Sequence, residues 1–102
     1  MNKAMKITIV GSHLCANTLY AIIKCKEAGL TVSFVDISAS LCDLKCFLAL
    51  HEHHEVYASC RELSAQEDYP QNGKIGLPCF VLEDGTETLD LNTVLQRAAE
   101  MK

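Results

Sequence analysis

Residues 6–37, KITIVGSHLCANTLYAIIKCKEAGLTVSFVDI, decide the fold, because two short apolar runs flank a segment with helical spacing. Lys6–Val10 is rich in β-branched residues and ends at Gly11-Ser12, a pair that favours a turn, so it reads as a buried strand. From Ala16 to Ala28, Leu19, Ile22 and Ile23 recur at helical spacing, and Gly29 stands where helices commonly stop. Thr31–Ile37 is again apolar and β-branched. A strand, a helix and a strand in close succession predict a right-handed crossover with the two strands parallel. Cys15 then falls where the first strand hands over to the first helix.

Outward from this unit, Ser38 and Ser40 are candidate N-caps for a second helix, in which Leu41, Leu44, Phe47, Leu48 and Leu50 supply an apolar stripe. Between His51 and Gly76 the chain is more polar. Val56, Tyr57 and Leu63 suggest a short helix there, ahead of the turn-rich YPQNGKIG of residues 69–76. After Pro78, Phe80–Glu83 reads as a strand, Asp84-Gly85 as a two-residue hairpin turn, and Thr86–Leu89 as the return strand. Val94, Leu95 and Ala98 mark one face of a terminal helix over Asn92–Met101, with Asp90 or Asn92 as cap. The expected class is α/β: a four-stranded mixed sheet flanked by helices, βαβ followed by ββα. The 102 residues suit a single domain with its core in 6–101.

Composition narrows the function. Apolar residues make up 49% and charged residues 22%, a globular balance. The net charge of −4, with Lys and Arg scattered, leaves no basic field for a phosphate backbone, so nucleic acid is not an expected partner. Met1–Lys6 is too short and polar for a secretory leader, and no apolar run approaches the ~20 residues of a membrane span. A cytoplasmic protein without a membrane partner is expected. In that compartment its six cysteines should be thiols and not a disulfide framework.

Among them Cys15 stands out. A sulfur at a helix start meets unpaired backbone N–H groups and the positive end of the helix dipole, and both favour thiolate. Cys25, Cys42, Cys46 and Cys60 read as small apolar fillers on helices. Cys42 and Cys46 lie four apart, but no second pair completes a structural zinc set. The cluster His51-Glu52-His53-His54-Glu55 places His51 and Glu55 four apart without forming H-E-x-x-H, and a solvated helix end explains it, so no metal site is expected.

The order of elements, SHLCANT opening a helix, and IGLPCFVLEDG before the last helix resemble the glutaredoxin-related branch of the thioredoxin superfamily, over residues 6–101. The resemblance implies a cis peptide bond at Leu77-Pro78 that brings this loop against Cys15. It also implies thiol–disulfide exchange with glutathione or protein thiols, in a monomer or weak homodimer without a tightly bound cofactor. His13, Leu77 and Pro78 would lie along the substrate. The family's C-x-x-C is replaced by Cys15-Ala16-Asn17-Thr18, so an internal dithiol is absent and the chemistry resembles that of monothiol relatives. Thr18 would then donate a hydrogen bond to the Cys15 thiolate, and Cys79 is a candidate resolving thiol. Thr88-Leu89-Asp90-Leu91-Asn92 replaces the family's Gly-Gly-Asp type turn for glutathione. Ala16-Asn17-Thr18 does not reproduce the CGFS motif of relatives that hold a [2Fe–2S] cluster. Two other readings stand beside exchange: a redox-silent binding module of the same fold, and a sensor in which Cys15 and Cys79 form a reversible disulfide.

Overall fold

The computed structural model describes residues 5–64 and 75–100. β1 (Lys6–Gly11), α1 (Ala16–Glu27) and β2 (Thr31–Asp36) form the crossover, and β1 and β2 are parallel with Ile9 opposite Phe34. α2 (Leu41–His53), a 3-10 turn (Glu55–Tyr57) and α3 (Ala58–Ser64) follow. β3 (Cys79–Leu82) and β4 (Glu87–Thr88) complete the sheet before α4 (Leu91–Glu100). The strand order is β2-β1-β3-β4, with β3 antiparallel to both β1 and β4. The described chain is thus an α/β fold on a mixed, open four-stranded sheet.

Period-two alternation along β1 and β3 supplies two cores, one per face of the sheet. Ile7, Ile9, Phe80 and Leu82 meet Ala21 and Cys25 of α1 and Val94 and Ala98 of α4. On the opposite face Val10 and Cys79 meet Phe47 of α2, Tyr57 of the 3-10 turn and Cys60 of α3. Ile9, Tyr57, Phe80 and Val94 are wholly buried. Each apolar side chain of this size adds about 1.5–3 kcal/mol relative to an exposed one.

The local rules hold with informative shifts. Ser40 caps α2 by accepting the Asp43 N–H at 3.0 Å, and Asp90 caps α4 by accepting the Asn92 N–H at 3.0 Å. Gly29, at φ 86°, ends α1 in the left-handed region. The buried line of α1 is Thr18, Ala21 and Cys25, while Leu19 and Ile23 are exposed. A β-sheet neighbour at close approach admits the smaller side chains. On α2 the stripe is narrower than expected: Phe47 is buried, whereas Leu41 and Leu48 are exposed, as are Cys42 and Cys46. Cys25 and Cys60 are buried fillers as expected.

The hairpin turn also differs from its sequence reading. Leu82 accepts the Gly85 N–H at 2.9 Å and its own N–H reaches the Thr86 carbonyl at 2.8 Å, so Glu83-Asp84-Gly85 forms a three-residue loop. A two-residue type I′ turn on Asp84-Gly85 would need positive φ at Asp84. Among the described residues only glycines adopt it, here Gly85 at 91°. Residues 69–74 of the turn-rich segment and Met101 lie outside the described residues.

Candidate functional site

Gly11 ends β1 because nothing larger fits. A Cβ on Gly11 would come within 2.5 Å of both Thr18 Cγ2 and Thr18 Oγ1. The first turn of α1 therefore sits directly against the end of the strand, and Thr18 is wholly buried there. Its Oγ1 accepts the Ser12 N–H at 3.4 Å. Ser12 is itself buried, and its carbonyl accepts the Cys15 N–H at 3.0 Å, which closes the turn that presents Cys15. The Ser12 hydroxyl accepts the Leu14 N–H at 3.0 Å and is hydrogen-bonded to the Ser38 hydroxyl.

Asp36, at the end of β2, ties the same turn from the other side. Its carboxylate accepts the His13 N–H at 3.2 Å, the Ser38 N–H at 3.0 Å and the His13 ring Nδ1–H at 2.8 Å. Partial desolvation works to raise its pKa, but these three donors and the His13 ring outweigh it and hold the carboxyl below the usual range. The Asp36 N–H in turn reaches the Asp43 carboxylate at 3.1 Å, linking β2 to the first turn of α2.

Cys15 is the N-cap of α1, with extended backbone (φ −101°, ψ 115°), and its sulfur is partly exposed. Burial works to raise its pKa. The Thr18 hydroxyl and the N–H groups of Thr18 and Asn17 overcome it, so the thiol lies below its ordinary value. The sulfur makes no regular capping hydrogen bond, so these groups act as converging dipoles and not as one strong bond. Thr18 Oγ1 accepts from Ser12 N–H, which leaves its proton for the Cys15 sulfur.

The Leu77-Pro78 peptide bond is cis. Leu77 lies between two open grooves. One, of about 260 Å³, is lined by Asn17, Tyr20, Pro78, Phe80, Leu89 and Leu91 among others, and Leu77 closes it. The other, of about 400 Å³, carries Cys15 itself with Leu14, Ile37, Ser38, Ile75 and, again, Leu77. Among the described residues neither groove is lined by a lysine or arginine. A third cavity, of about 360 Å³ between Met5, Leu82, Asp84 and Arg97, contains no thiol.

The structure thus gathers Cys15, Thr18, Leu77 and Pro78. His13 is held on Asp36 and lines neither groove, so it braces the turn instead of facing a substrate there. Cys79 follows Pro78 but is wholly buried on the other side of the loop, beside Tyr57 and Cys60. The Tyr57 hydroxyl, packed beside Cys79, donates to the Gly76 carbonyl at 2.6 Å. Burial outweighs the lowering effect of the Tyr57 hydroxyl and, with Glu87 adding repulsion, pushes the Cys79 thiol up to about 11, and burial alone pushes Cys25 up to about 11. Neither state suits a nucleophile.

Sequence reasoning missed Gly11, Ser12, Asp36 and Ser38. The first two lie in the quoted turn, but their roles arise from a helix and a second strand arriving there, for which no sequence spacing exists. The histidine cluster is drawn into packing: the His51 ring lies tilted against Phe47 and Tyr57, with centroids at 5.5 Å and 5.3 Å, and His54 Nδ1 pairs with Glu87 at 2.8 Å. Among the described residues no group of three or more His, Cys, Asp or Glu side chains is placed to hold a metal, and no helix is long and apolar enough to cross a membrane.

No protein-family model, curated protein or solved structure matches the chain. What fold and site define together is an α/β fold that presents Cys15, partly exposed and lowered in pKa, at a helix start on one open groove, with Leu77 between that groove and a second.

Proposed function

We propose that this chain is a thioredoxin/glutaredoxin-like domain that performs thiol–disulfide exchange through Cys15 alone. The observation that carries the reading is the Cys15 sulfur, partly exposed, lowered in pKa and opening directly onto a groove. Its thiolate attacks one sulfur of a disulfide, a Cys15–S–S–R bond forms, and the other sulfur leaves as thiolate and takes a proton from water. A second thiol from outside then attacks the mixed disulfide, releases R as a disulfide with itself, and returns Cys15 as thiolate. Thr18 cannot act as that second thiol, and the enclosed Cys79 is poorly disposed to do so. Glutathione and protein thiols are the partners this chemistry admits, without a resident cofactor.

The binding-module reading draws on one observation of its own: the position of the missing second cysteine is filled by a wholly buried Thr18 seated on Gly11. The two readings separate in a glutathione-dependent reduction assay with a small mixed disulfide. Exchange requires turnover by the parent protein and its loss in Cys15→Ser. Equal, negligible rates for both proteins would leave the groove as a binding surface only.

A further inference from the structure

Outside this site, two more sulfurs share one exposed surface. Cys42 and Cys46 both lie on α2, one turn apart, and both are free and exposed. Residues four apart on a helix hold their Cβ atoms about 5–6 Å from each other. A disulfide needs about 3.5–4.5 Å, so this pair does not close one without bending the helix. An ion held in line between two thiolates is different. With metal–sulfur bonds of about 2.3 Å, the two sulfurs stand about 4.6 Å apart. Rotation of the two side chains reaches that span without moving the backbone.

The donor set selects the ion. Among the described residues no third His, Cys, Asp or Glu joins the pair. Asp43, the carboxylate between them in sequence, is turned to the Asp36 N–H at 3.1 Å. Zinc takes four ligands in closed sites, and calcium and magnesium take six or more oxygens. Two thiolates alone suit a soft cation such as Cu(I). We propose that Cys42 and Cys46 form a two-coordinate site for a soft monovalent cation of the Cu(I) class, one per chain. On binding, each thiol releases its proton to solvent and each sulfur forms one bond to the cation. Two protons leave per cation and no electron moves. The site does not depend on Cys15, which stands on a different element.

The test is an anaerobic Cu(I) titration against a chromophoric Cu(I) chelator, run on the Cys15→Ser protein so that the accessible Cys15 does not compete. Cys25, Cys60 and Cys79 are buried in the folded chain. One tightly held Cu(I) per chain is expected. Cys42→Ser or Cys46→Ser should each weaken binding by at least about 100-fold, because a single thiolate loses the gain of a tethered second donor. Both positions are exposed, so circular dichroism should remain that of the parent. Adding Lys45→Cys to Cys46→Ser restores a pair three apart on the same face and should recover most of the affinity. Adding Ala49→Cys instead places the second thiol about 10 Å along the axis from Cys42 and should not. The proposal is overturned by unchanged affinity in the single variants, by equal recovery with Ala49→Cys, by one cation per two chains, or by Zn(II) binding as tightly with the same dependence on both cysteines.

Discussion

Replacing Thr18 with valine keeps the shape of a wholly buried side chain and removes only its hydroxyl. Two consequences follow, because that hydroxyl accepts the Ser12 N–H and lowers the pKa of the Cys15 thiol. The Ser12 N–H, donating to it at 3.4 Å in a buried turn, loses its acceptor. An unsatisfied buried donor costs about 1–3 kcal/mol, and the length of this bond places the loss near 1 kcal/mol. For a domain of this size that is a fall in Tm of about 4–8 °C. The Cys15 sulfur also loses the largest of the contributions that lower its pKa, while the burial that raises it persists.

The alkylation rate of Cys15 against pH should therefore shift its midpoint upward in Thr18→Val, with slower labelling by iodoacetamide at pH 7. The linkage to stability has a definite sign. A thiol whose folded pKa lies below its unfolded value, about 8.5, stabilises the fold fully above that value and loses the contribution as pH falls through the folded pKa. The stability gap between parent and Thr18→Val should accordingly widen as pH rises from the folded Cys15 pKa of the parent to the higher one of the variant, and level off above both. Thr18→Ser is the control: it loses a methyl group, at a cost of about 0.5–1.5 kcal/mol by analogy with other single-methyl deletions, but keeps the hydroxyl and the parent's alkylation midpoint. A folded Thr18→Val whose midpoint equals the parent's would refute the assignment of Thr18 as the donor to Cys15.

Three further substitutions probe the supports of the site. Gly11→Ala drives a methyl group to 2.5 Å from Thr18 and should lower stability by about 1–3 kcal/mol in urea unfolding, with slower Cys15 alkylation as the helix start is displaced. Gly76→Ala combines a left-handed backbone, φ 88°, with a Cβ 2.4 Å from Tyr57 Cε1, and a loss of about 2–5 kcal/mol is expected from the same measurement. Asp36→Asn removes a carboxylate whose pKa is depressed in the fold, so the parent should be the more stable protein at neutral pH. Its advantage should fade as pH falls below about 4, which acid titration of both proteins followed by circular dichroism will read. In the Cys15→Ser background, Cys79 should stay unlabelled at pH 8 until denaturant opens the core, as peptide mapping of the alkylated protein will show.

The sequence by itself determined the elements and their order. β-branched runs at 6–10 and 31–37, helical spacing between them, Gly29, and caps at Ser40 and Asp90 are local signals, and local hydrogen bonding and rotamer preference act within a few residues. It also singled out Cys15, because a helix start is visible in the chain. Tertiary structure alone decided which side chains the helices bury, the three-residue form of the turn at 83–85, and the enclosure of Cys79 on the face opposite Phe80. It also decided that His13 answers to Asp36, twenty-three residues away. Those outcomes depend on how closely separate elements approach and on which face of a shared strand a neighbour occupies, and neither quantity is encoded in spacing along one segment.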